Sequence, residues 1–123
     1  MPEAVDVLAP DGSEIRRLPS TERGSMVQCR LPAGQTTHAV RHRHVDEVWY
    51  CLSGAGELWR SSASAEEVVQ LVPGVGVSIP HGVAFQFRTS GAEPLEIVIT
   101  TMPPWPGADE AVPVDGPWPP STG

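Results

Sequence analysis

The chain has 123 residues and a mass of 13.1 kDa, with 40% apolar and 19% charged residues, which fits one globular domain with a modest core. Fifteen carboxylates outnumber eight basic residues for a formal net charge of −7, and all eight basic residues are Arg. No basic stripe is available to release counterions from a phosphate backbone, which argues against nucleic acid and anionic membrane as partners, and the lack of Lys removes Schiff-base chemistry.

The first residues, MPEAVDVLAPDG, lack a basic n-region and an apolar h-region and so do not read as a signal peptide. Residues 1–24 are expected to form an edge strand or arm ahead of a barrel spanning 25–102. Gly, Pro and Ser then punctuate the chain about every ten residues, and strands are expected at 26–31, 38–44, 47–52, 56–60, 67–71, 76–79, 83–88 and 95–102. Eight short strands without a long helical period predict an all-β antiparallel sandwich or barrel. The stretch 61–67 is too short for an independent helix and is read as a hairpin loop. Cys29 and Cys51 are too few and too far apart for a zinc ribbon or disulfide framework, so reduced thiols and a cytoplasmic location are expected.

From Pro94 onward the chain holds eight of its fourteen prolines, and the runs around Trp105 and Trp118 exclude helix and central strand. Two Trp side chains are costly to leave in water, so residues 103–123 are expected to form an extended Pro/Trp-rich C-terminal arm clamped on the barrel or on a second subunit.

The residues with chemical potential cluster in TTHAVRHRHVDEVWYCLSG at 36–54. On a strand, His38, His42 and His44 share one face while Arg41 and Arg43 share the other; beyond a turn at Val45 and Asp46, Glu47, Trp49 and Cys51 form the next same-face set. Two imidazoles spaced by two and a carboxylate from a neighbouring strand can converge on one divalent cation and leave open positions for water or substrate. The same residues can also be surface histidines on an edge strand beside a solvated Glu47.

His42, His44 and Glu47, followed by Gly54, resemble the first motif of the cupin superfamily, and Gly74 followed by Pro80-His81-Gly82 resembles the second. The resemblance covers residues 34–89 and implies a small single-domain cupin with a jelly-roll β-barrel. It also implies a metal site at His42, His44 and Glu47 for Fe, Mn, Ni, Zn or Cu, a small-molecule substrate or ligand, and a homodimer. Gly34 lies two residues farther from His42 than the family pattern has it, only Val45 and Asp46 separate His44 from Glu47, and the position of the family's last His ligand falls on Phe85.

Strand parity places Trp49, Cys51, Val83, Phe85 and Phe87 around a small, partly apolar pocket. His38, His81 and Gln86 are secondary polar candidates: His38 is about 13 Å along an extended strand from His42, His81 sits in a turn, and Gln86 has the parity opposite to Phe85. Three function classes follow: a metal-dependent oxygenase, isomerase or lyase; a metal-free barrel that binds a small molecule as a sensor or carrier; and a metal-free isomerase using His as base.

Overall fold

Strands dominate because apolar and polar residues alternate over short stretches between turn-forming residues. The computed structural model describes residues 6–122; residues 1–5 and 123, which belong to the expected N-terminal segment and arm, lie outside the described residues. The strands are β1 (Val7–Leu8), β2 (Glu14–Ser20), β3 (Ser25–Leu31), β4 (Val40–His42), β5 (Asp46–Ser53), β6 (Gly56–Ser61), β7 (Glu66–Leu71), β8 (Gly76–Ile79), β9 (Ala84–Thr89), β10 (Leu95–Met102) and β11 (Ala111–Pro113). One six-stranded sheet has the order β1-β2-β3-β10-β5-β8, and a five-stranded sheet has the order β11-β4-β9-β6-β7, with antiparallel pairing throughout. The protein is therefore an all-β jelly-roll barrel. The only helical turn among the described residues is a 3₁₀ segment at Ala108–Glu110.

Side-chain alternation fills the space between the sheets. Along β5, Glu47, Trp49 and Cys51 are buried while Val48, Tyr50 and Leu52 are exposed; along β10, Leu95, Ile97, Ile99 and Thr101 are buried. Leu31, Leu58, Leu71, Phe87, Leu95 and Ile97 are essentially inaccessible and form the dense part of the core. The turn after β5 requires glycine. Gly54 has φ of +83°, and a Cβ there would run into the Pro94 carbonyl oxygen.

Three strands go beyond the eight expected, and one expected strand is shorter. β2 contains Pro19 and four polar residues, yet it pairs with β3, with Arg30 donating to the Glu14 carboxylate at 3.0 Å. The expected strand 38–44 is limited to Val40–His42, because β9 and β11 pair with it only that far.

The chain after β10 packs on the barrel. β11 pairs with β4, matching Ala111 to His42. Farther on, the Trp118 N–H donates to Gln86 Oε1 at 3.2 Å, and Gln86 Nε2 donates to the Trp118 and Thr37 carbonyls at 2.8 Å each. The Arg88 guanidinium lies 4.0 Å from the Trp118 ring centroid. Thr122 is buried where its hydroxyl donates to the Asp11 carbonyl at 2.7 Å and its own carbonyl meets His38 Nε2 at 2.9 Å.

Candidate functional site

Two inward-facing side chains from adjacent parts of the chain meet at one end of the barrel. His42 closes β4 and Glu47 is the second residue of β5; both are buried, and His42 Nδ1 lies 3.8 Å from Glu47 Oε2. That separation exceeds hydrogen-bond distance, and Nδ1 is a buried polar atom with no partner. The other Glu47 oxygen accepts the Trp49 indole N–H at 2.8 Å. Aromatic rings pack edge-on around the imidazole, with Phe85 at 5.2 Å and Trp105 at 4.9 Å between centroids. Trp105 belongs to the arm, so the segment after β10 completes the wall around His42.

The surroundings set the charge states. Burial lowers the His42 imidazole to about 4, and burial raises the Glu47 carboxyl to about 7 against the opposing pull of the Trp49 hydrogen bond. At neutral pH, His42 is therefore a neutral ring, and the two side chains form no ion pair. A second buried carboxyl, Asp11, is also raised by burial, although the Ser13 N–H and hydroxyl donate to its Oδ1 at 3.0 and 2.7 Å.

These groups face a cavity of about 630 Å³. Val27, Val40 and Ile99 supply apolar wall, Trp49, Phe85 and Trp105 supply rings, and Asp11, His42 and Glu47 supply polar atoms. Of the five residues expected from parity to line a pocket, Trp49 and Phe85 do so. Cys51 and Phe87 lie among the fully buried core residues, and Val83 packs against that core from a partly buried position.

The structure places His44 differently from the strand-parity expectation. Its side chain is 78% exposed, and Nδ1 lies 3.1 Å from Glu110 Oε1. Strand alternation does not extend to it because β4 stops at His42. Beyond that point the backbone turns, and Glu110 Oε2 accepts the N–H groups of His44 and Val45. Burial alone would raise the Glu110 carboxyl, but these N–H groups and the His44 ring hold it below the ordinary Glu value. His44 thus lines a separate depression with Arg43, while Pro106, Gly107 and Ala111 border both spaces.

The secondary candidates also lie elsewhere. His81 is exposed and meets Asp46 Oδ1 at 2.8 Å; His38 meets the carbonyl of Thr122; Gln86 is buried but serves the outer face, against Trp118. Among the described residues, no group of three His, Cys, Asp or Glu is placed to hold one metal ion. A cation held on one side by two imidazoles and a carboxylate therefore does not fit the residues in this arrangement, which offers His42 and Glu47 only.

Sequence reasoning missed Glu110, Asp11 and the role of Trp105. Asp11 carried a local signal in the Asp-Gly-Ser turn sequence at 11–13, since Asx side chains cap such turns. Glu110 carried none, because its partners are more than sixty positions away.

Residues 27–101 match the family model described as the cupin domain. No curated protein matches the sequence. Solved structures with similar folds include KdgF from Halomonas sp., at 18% identity and TM-score 0.65, covering 75% of this chain and 81% of that one. A double-stranded β-helix protein from Klebsiella pneumoniae aligns at 17% identity and TM-score 0.69 over 92% of this chain and all of its own. Oxalate decarboxylase of Bacillus subtilis, which has Mn(II) centres, aligns at 16% identity and TM-score 0.70 over 84% of this chain but only 28% of its own length.

Proposed function

Since the chain belongs to the cupin family, with the family model covering residues 27–101, we propose that its barrel binds a small, partly apolar organic molecule in the cavity beside His42 and Glu47. One observation carries this reading: His42 lines the cavity, and its buried Nδ1 has no partner. An unpaired buried polar group costs about 1–3 kcal/mol, which a ligand able to hydrogen-bond to it would offset. Apolar walls with a few convergent polar groups are the usual make-up of a small-molecule site.

The test uses 3-phenyl-1-propanol, 3-phenylpropylamine and 3-phenylpropanoate, followed by the fluorescence of Trp49 and Trp105 on the cavity wall. Saturable quenching by at least one of them is expected, with loss of that response in Val27→Trp, whose added ring fills the space. Failure of all three to give a saturable response overturns the proposal.

A second reading keeps the divalent metal. It requires His44 to leave Glu110 and join His42 and Glu47, and it is supported by the motif order in the sequence and by the Mn(II) centres of oxalate decarboxylase. Its test is the metal content of protein purified without chelator or affinity tag, compared with His44→Ala. Equal and negligible content in both removes this reading. A second copy of the chain is the proposed protein partner, through the exposed Val48, Tyr50 and Leu52 on the outer face of β5, and sedimentation velocity tests it. The two free, buried thiols support a reducing, cytoplasmic setting. Among the described residues, no helix is long and apolar enough to cross a membrane.

A further inference from the structure

We propose that the ligand of this cavity is a primary organic amine whose ammonium head sits between Glu47 and His42 while its apolar body lies against Trp49, Phe85 and Trp105. The inference rests on the binding reading above and narrows it to one chemical class.

Charge is the first argument. The cavity wall holds two buried carboxyl groups, Asp11 and Glu47, and neither is ion-paired to an Arg among the described residues. Among the described residues, Arg17 is the only Arg on the wall, and it is exposed. A carboxylate in apolar surroundings is costly unless a cation accompanies it. An anionic ligand would add like charge to this end of the barrel, and a neutral one would leave the deficit as it is.

Geometry is the second argument. Glu47 Oε1 is already taken by the Trp49 N–H, which leaves Oε2 facing the unpartnered His42 Nδ1 across 3.8 Å. The gap is too wide for a direct hydrogen bond and small enough for one nitrogen to reach both atoms at about 2.9 Å. An ammonium has three N–H donors, enough for both acceptors with one to spare for water. The imidazole then accepts at Nδ1, which fixes its proton on Nε2.

The walls are the third argument. Rings of Trp49, Phe85 and Trp105 border the same cavity, and Trp is the strongest of the aromatic partners for a cation. Asp11, whose Oδ1 accepts from Ser13, is a second carboxyl on the same wall.

The experiment compares the three phenylpropyl compounds on the full-length protein by isothermal titration calorimetry at pH 7. The amine is expected to bind at least tenfold more tightly than the alcohol, with the acid weakest. Glu47→Gln should erase the difference between amine and alcohol, and Asp11→Asn should reduce it. Both variants are checked for a folded melt, and the comparison of the three ligands on the unaltered protein stands even if one variant fails to fold. Alcohol or acid binding as tightly as the amine overturns the amine assignment and leaves the cavity reading intact. No binding by any of the three overturns both.

Discussion

The two ends of the barrel solve different problems. At the end built around Phe87, Leu58, Leu71 and Leu95, side chains are excluded from solvent and the backbone itself approaches closely, as Gly54 does to Pro94 and Gly56 to Arg88. At the other end the inward positions carry His42, Glu47 and Thr101 where the first end carries aliphatic residues, and a cavity of about 630 Å³ stands in place of packed side chains. The same alternation along β5 and β10 produces both. Stability is thus concentrated at one end, and unsatisfied polar capacity at the other.

Paired substitutions of two phenylalanines on β9 test that division most strongly. Phe87 is enclosed in the dense core, so Phe87→Ala should cost about 3–5 kcal/mol, while Phe85→Ala, which enlarges an existing cavity, should cost at least about 1 kcal/mol less. Urea unfolding of both variants checks this, and equal losses would mean that the two ends are packed alike. Next in size, Gly54→Ala should destabilise by about 3 kcal/mol, from positive-φ strain plus overpacking against Pro94. The same measurement on Gly82→Ala, where φ is +82° but no atom lies within 4 Å of the added Cβ, should show the strain alone and a smaller loss.

At the hollow end, Glu110 is the main tether of the arm to the turn after β4. Glu110→Ala should cost about 2 kcal/mol, because it strands the N–H groups of His44 and Val45. His44→Ala should cost under about 1 kcal/mol, since the exposed ring contributes only a surface contact. Comparable losses from both would place the tether in the ring rather than in the backbone.

A separate prediction is a pH dependence with opposed signs. Glu47, raised from 4.5 to about 7, favours the folded state below about pH 4.5, and that contribution is lost as pH rises to about 7. His42, lowered from 6.5 to about 4, favours the folded state above about pH 6.5, and that contribution is lost as pH falls to about 4. In the wild type the two offset each other. Relative to it, Glu47→Gln should gain stability from pH 4.5 to 7 and His42→Asn should gain from pH 6.5 down to 4, each by up to about 3 kcal/mol. Melting temperatures at half-unit steps check this, and parallel curves for all three proteins would remove the buried pair as their cause.

How much of this could be read in advance divides along the same line. The framework was legible because β5 and β10 alternate with a period of two over eight residues each, and turn residues separate their neighbours. The inward direction of Glu47, Trp49 and Phe85 followed from the same period. His42 was legible for the same reason, but His44 was not. Its direction depends on where β4 ends, and that is decided by β11 and Glu110, contributed by a segment whose prolines conceal a three-residue strand. Residues 1–24 were expected as an edge strand or arm, but the bounds of β2 were not legible, because a strand second from the sheet edge with one face in water tolerates Arg16, Arg17 and Pro19, which blur its alternation. Local period carries information about an element; it carries none about a partner brought in by the arm.

Gln86 shows how a side chain can act as a surrogate peptide group. A primary amide has the same donor and acceptor atoms as the backbone, and here it gives and receives hydrogen bonds with Trp118 as a facing residue in a ladder would. At 118 the arm is therefore held through its main chain as well as through the Trp ring beneath Arg88. Replacement by Glu would keep the shape and forfeit both donated bonds, one of them to Thr37 inside the barrel wall. A single atom exchange at position 86 would then register both in the arm and in the segment leading into β4.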